Sequence, residues 1–193
     1  MLKIVISPHS ILSQSAKQIT KVDKSVLKLI KQMKHALEAA KDPVGVGLAA
    51  PQIGKALQIF IIKPTEKSNI QVFINPKINS KLQISHLTTL SGRGLKLNDS
   101  TKEEPLTKLE GCLSLPNIWG NVVRNSTITV TYLDENNKSH TRKFKGFITT
   151  IIQHEMDHLD GILFPKRVLE QKGKLYKSHK DEKSEDVFEE IEI

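Results

Sequence analysis

Residues 153–161 read QHEMDHLDG, and within them His154, Glu155 and His158 have the spacing H-E-x-x-H. Two imidazoles four residues apart share one face of a helix and can meet at a single cation. Glu155, next to the first of them, can take a proton from a water activated there and return it later in a reaction. At this chain's His and Glu content, a chance H-E-x-x-H arises in roughly two sequences in a hundred. Coincidence is the weaker reading.

A metal site needs at least a third ligand. The longer zinc-protease pattern H-E-x-x-H-x-x-G-x-x-H matches through Gly161, but Phe164 stands in the last position. Glu170, Glu182 and Glu185 follow in a Lys/Glu-rich stretch with no apolar helical face to fix them. Cys112, the single cysteine, sits in E-G-C-L-S between Glu110 and Ser114. Its thiolate is a strong ligand for zinc or ferrous iron, although a lone cysteine is more often a small buried hydrophobe. Residue chemistry alone leaves two ligand sets open: Cys112 with the two histidines, or a later glutamate as in a zincin-type metalloendopeptidase.

These side chains need a scaffold. A helix is expected from about 148 to 160, closed by Gly161. Extended back to Phe147, it carries Phe147, Thr150, Ile151, His154 and His158 on one stripe. The metal would then sit at the end of a largely apolar face, which suits a pocket for a hydrophobic side chain. A second helix is expected over 23–41, with Val26, Ile30, Met33, Leu37 and Ala40 on one face. Asp23 would cap it and Asp42-Pro43 would end it. Strands are expected at 2–6, at 56–62 and 71–75 (each stopped by a proline), and at 127–134. The turn E-N-N-K at 135–138 returns the chain as a partner strand through 147. Residues 77–108 are polar and read as a long excursion from the core. The charged run from 173 reads as solvated, with V-F-E-E-I-E-I as a final edge strand. Mixed strands with two helices imply an α+β domain.

The 193 residues suit one domain with a real core. With 38% hydrophobic and 26% charged residues the composition is that of a soluble globular protein. One cysteine excludes a disulfide framework and favours a reducing compartment. No stretch approaches a membrane span, and the N-terminus lacks a signal-peptide core. The net charge of +8 comes mostly from dispersed Lys, so a solvated surface is expected and no specific nucleic-acid site. A non-enzymatic ribosome- or RNA-binding protein is the rival from another class.

Three stretches, GVGLAAPQ (45–52), EGCLS (110–114) and QHEMDHLDG (153–161), resemble in order the three signature motifs of peptide deformylase. The resemblance covers most of residues 1–168. It implies a catalytic domain over 1–172, interrupted by an inserted loop region at 77–108 and followed by the tail 173–193. The fold it implies is α+β, with mixed, mainly antiparallel sheets packed around a metal-binding helix. The implied activity is removal of the formyl group from N-formylmethionine on nascent chains, releasing formate. By the same resemblance Cys112, His154 and His158 bind the metal, and Glu155 is the general acid/base. The Gln52 side-chain amide and the Leu113 backbone N–H serve the oxyanion. The metal would be ferrous iron, with zinc, nickel or cobalt as substitutes. Gly45, Val46, Gly47, Leu109, Phe147, Thr150 and Ile151 are expected to form the substrate pocket. Partners would be formylmethionyl nascent peptides and, transiently, the ribosome, for a monomer in the cytoplasm or an organellar lumen, with no membrane contact. Two departures stand out: the long span at 77–108, and Trp119 near a position where many bacterial members carry Arg.

Overall fold

A computed structural model describes residues 3–41, 44–80, 105–181 and 185–192. Helix α1 spans Lys24–Ala39. Asp23 caps it, its carboxylate accepting from the Ser25 and Val26 N–H groups at 2.9 and 3.0 Å. Val26, Ile30, Met33 and Leu37 are buried along one face, as the three- and four-residue steps require. The helix ends at Ala39, and the expected stop at Asp42-Pro43 lies outside the described residues.

That face packs on a five-stranded antiparallel sheet in the order β1-β2-β3-β6-β7. Its strands are β1 (Gly47–Ala49), β2 (Ile59–Ile62), β3 (Gln71–Ser80), β6 (Thr127–Leu133) and β7 (Ser139–Lys145). Strand β2 is buried on both sides because successive side chains alternate between faces. Ile59 and Ile61 join the α1 core, while Phe60 and Ile62 join a second core on the other face. There Phe60 stacks on Phe73 at 4.6 Å, and Tyr132 lies 4.2 Å beyond. Helix α2 (Phe147–Leu159) covers this face with Ile151, Ile152 and Leu159, and Gly161 after it takes φ 71°.

A second antiparallel sheet has the order β4-β5-β8-β9. It consists of β4 (Leu106–Cys112), β5 (Leu115–Arg124), β8 (Leu175–Lys180) and β9 (Asp186–Ile191). Helix α3 (Phe164–Glu170) lies on it, burying Phe164 and Val168 against Val122, Leu175 and Cys112. The result is an α+β fold of two antiparallel sheets around α2.

Several expectations change. Residues 3–6 of the expected first strand join neither sheet. The segment is pinned instead by two separate bonds, Val5 N–H to the Gln52 carbonyl (2.7 Å) and Ser7 N–H to the Ser114 carbonyl (2.9 Å). Pro76 does not end β3. The pairing with β6 shifts between Ile74 and Lys77, and this irregularity absorbs the proline's missing donor. Asn75, at φ 47°, anchors it by bonding Ile19 through both its amide atoms. Strand β5 was not expected from sequence. Of the excursion 77–108, both ends belong to strands β3 and β4, and 81–104 lies outside the described residues. The run after 173, expected to be solvated, folds back as the hairpin β8–β9. Strand β8 pairs with β5 through Ile118↔Lys177, Trp119↔Tyr176 and Gly120↔Leu175, and β9 takes the edge.

Candidate metal centre and active site

Because the apolar face of α2 is fixed to the larger sheet, the helix presents His154 and His158 toward the end of β4. The two rings lie 5.0 Å apart, at 72° to one another. Pairing between β4 and β5 shifts between Gly111 and Cys112. Beyond the shift the Cys112 sulfur lies 3.2 Å from His158 Nε2. The donor atoms of Cys112, His154 and His158 all fall within 4.8 Å of one another. The later glutamates do not join them: Glu170 pairs with Arg167 (3.0 Å), Glu185 sits in the β8–β9 turn, and Glu182 lies outside the described residues.

A chain of buried charges holds the donors in place. His154 Nδ1 meets Glu110 Oε2 at 3.0 Å, which leaves Nε2 for a cation. Arg124 donates to both Glu110 oxygens, Nε at 2.8 Å and Nη2 at 2.9 Å, and through Nη1 to Asp157 at 2.6 Å. Arg167 reaches Asp157 from outside at 2.7 Å. The chain ties β4, β5, α2 and α3 together around the site. Burial alone would raise the Glu110 carboxyl, but Arg124 and His154 outweigh it and hold it below its ordinary value. Asp157 is likewise lowered, burial being outweighed by Arg167 and Arg124. Burial pushes the Cys112 thiol up, yet the His158 and His154 imidazoles bring it well below its ordinary value. The sulfur is therefore poised as a thiolate, the form that binds metal.

Glu155 is 3% exposed. Burial pushes its carboxyl up to about 7, against the pull of His154 and His158. Its Oε2 has no hydrogen-bond partner among the described residues. Oε1 lies against Gly47 so closely that any Cβ there would collide with it; the glycine makes room for the carboxylate. Gln52 is fully buried, and its Oε1 accepts the Ala49 N–H at 2.7 Å. That bond fixes the amide so that Nε2 points toward Cys112 Sγ (3.5 Å) and Ser114 Oγ (3.3 Å). A soft thiolate with two imidazoles, beside a buried carboxyl with an unpaired oxygen, fits a divalent cation such as zinc or ferrous iron.

The site opens into one cleft. Gly45, Val46, Gly47 and Gln52 line one part of it; Leu109, Cys112 and Leu113 line another; Phe147, Thr150, Ile151, His154 and Glu155 come from α2. Phe147 is 49% exposed, so it belongs to the cleft rather than to the core. His158 is not among the lining residues and is buried beside Cys112. Val44, Gly111 and Trp119 also line the cleft. The sequence reading overlooked the roles of Arg124, Asp157, Arg167 and Ser114. A signal existed for Asp157: a charged residue inside the H-E-x-x-H turn, on a helix whose other side is apolar, must find a partner.

A sequence model of the family described as polypeptide deformylase matches residues 1–174. A peptide deformylase of Prochlorococcus marinus (strain MIT 9312) is 38% identical over 170 residues, covering 86% of this chain and 73% of that one. One from Borreliella burgdorferi is 33% identical over 183 residues, covering 94% of this chain and 97% of that one. The crystal structure of a Synechococcus elongatus peptide deformylase with actinonin superposes with a TM-score of 0.70 at 32% identity, over 86% of this chain and 78% of that one.

Proposed function

Since the chain belongs to the polypeptide deformylase family, metal-dependent hydrolases that remove the N-formyl group from nascent peptides, we propose how its own residues divide that work. Cys112, His154 and His158 hold the divalent cation, ferrous iron in the cell, with zinc, nickel or cobalt able to replace it. Once bound, that ion supplies Lewis acidity toward water and carbonyl oxygen.

Glu155 moves the proton. Burial raises its carboxyl above the ordinary range, which suits it to accept a proton and give it back. It takes one from the water that adds to the formyl carbon and delivers it to the amine as the C–N bond breaks. Gln52 Nε2 and the Leu113 backbone N–H donate to the formyl oxygen as negative charge develops there. Products are formate and a free N-terminal methionine. The cleft walls Gly45, Val46, Gly47, Leu109, Phe147, Thr150 and Ile151 take the methionine side chain. A formyl carbon carries only hydrogen, so a narrow site can admit it and reject larger acyl groups on size.

The observation that carries this reading is the convergence of one sulfur and two imidazoles beside the buried Glu155. We place the enzyme in the cytoplasm or an organellar equivalent, working as a monomer. Its Lys-rich surface, with a net charge of +8, suits transient contact with the ribosome. No helix among the described residues is long and apolar enough to cross a membrane. The test is anaerobic purification with metal analysis, then formate or acetate release from formyl- and acetyl-Met-Ala. Formate release with acetyl-Met-Ala left intact is expected. Equal cleavage of both would overturn the narrow-site argument.

A further inference from the structure

The family match ends at residue 174, one residue before β8 begins, yet the β8–β9 hairpin reaches a wall of the cleft. That wall is Trp119, the single tryptophan of the chain. It stands on β5 and is paired to Gly111 of β4, the residue before the Cys112 ligand. The indole lies over the Gly111 backbone: a Cβ on Gly111 would meet ring carbons Cζ3 and Cε3 at 2.8 and 2.9 Å. Two contacts from the hairpin hold the ring there. Indole Nε1 donates to Ser178 Oγ of β8 at 2.9 Å, and Ser178 is buried. Phe188 of β9 meets the ring edge-on, with centroids 5.8 Å apart at 78°.

We propose that the C-terminal hairpin positions Trp119 as a cleft wall that binds the formylated peptide beyond its first residue, with Ser178 and Phe188 as the positioning residues. The proposal rests on the deformylase reading above. Helix α2 supplies the stripe Phe147, Thr150 and Ile151 for the methionine side chain. Trp119 comes instead from the strand side, on the strand that the hairpin extends. A large flat indole there offers apolar contact to peptide groups that the methionine pocket does not take. A ring fixed by a hydrogen bond and an aromatic edge binds without ordering a mobile side chain.

The test uses the full-length, metal-loaded protein and two substrates, formyl-Met-Ala and a formyl-Met tetrapeptide. Ser178→Ala removes the acceptor for the indole N–H, and Phe188→Leu removes the edge contact while keeping an apolar residue on β9. In both variants KM for the tetrapeptide should rise about three- to tenfold, the size expected from one lost hydrogen bond or aromatic contact. The change on formyl-Met-Ala and in kcat should be smaller. Acrylamide quenching of the Trp119 fluorescence should increase, and its emission should shift to the red. In a Trp119→Phe background, which lacks the donor, Ser178→Ala should no longer change KM. Unchanged quenching with unchanged KM would overturn the proposal. So would equal losses on both substrates, or the same Ser178→Ala effect in the Trp119→Phe background. A wild-type protein releasing no formate from either substrate would sink the deformylase reading, and the quenching series would still report whether the hairpin holds the indole.

Discussion

The cleft has two supports built on opposite principles. The ligand side, where α2 meets β4, is held by buried charge: Glu110, Arg124 and Asp157 are each no more than 6% exposed, and both carboxylates accept from Arg124. The hairpin side is held by backbone pairing, one indole hydrogen bond and surface ion pairs. Lys174–Glu190 closes at 2.7 Å with both side chains about half exposed, and Lys180–Asp186 closes at 2.8 Å in a similar setting. Buried charges are costly to desolvate, and removing one strands the others, so such a network enforces one geometry. Exposed pairs gain little and break one at a time. The candidate metal donors are thus set by a network that fails as a unit, and the Trp119 ring by contacts that can be removed singly.

Substitutions can break this contrast, and the largest effect belongs to the ligand side. Glu155→Gln should lower kcat by about 10²- to 10⁴-fold, the usual weight of a general acid/base. Metal content should stay at one ion per chain, read by formate release alongside elemental analysis. Arg124→Ala should come next. It leaves buried Glu110 with only His154 and buried Asp157 with only Arg167 as charge partners, so urea unfolding should show a loss of about 3–5 kcal/mol. Gly47→Ala should cost about 1–3 kcal/mol by overpacking against Glu155 and Ile151 and should lower kcat, because the displaced group is the proposed acid/base carboxylate. The hairpin side should barely respond to loss of a surface pair. Lys174→Ala should change stability by under about 1 kcal/mol, and an equal or larger loss than Arg124→Ala would erase the distinction.

How much of this was legible depended on the range of the interaction. The α1 face and the cap at Asp23 follow from local spacing, and the structure forms both. The pairing of His154 with His158 was legible because helical geometry alone brings i and i+4 together. The third candidate donor was not, since residue chemistry left Cys112 and the later glutamates open. Cys112 meets His158 across 46 residues of sequence, and no local pattern encodes that meeting; only the family resemblance chose between them. Strand β5 escaped notice because Pro116 and Gly120 interrupt its alternation. Of the hairpin, the edge strand β9 is where the alternation of V-F-E-E-I-E-I places it, but β8 was misread because Lys and Glu in isolation look solvated. Their partners lie on the facing strand, as in Lys174–Glu190, and Leu175 and Ser178 are the few residues that turn inward. The Glu110–Arg124–Asp157 chain was missed for the same reason: each charge looks expensive until the others are placed beside it.

The central claim is that a single sulfur and two imidazole nitrogens share one cation. X-ray absorption at the metal edge of the loaded protein tests it directly. We predict one sulfur at about 2.3 Å with nitrogen scatterers at about 2.0–2.1 Å if zinc is bound, and loss of the sulfur shell in Cys112→Ser. A spectrum with only nitrogen and oxygen neighbours in the wild-type protein, unchanged by that substitution, would contradict it.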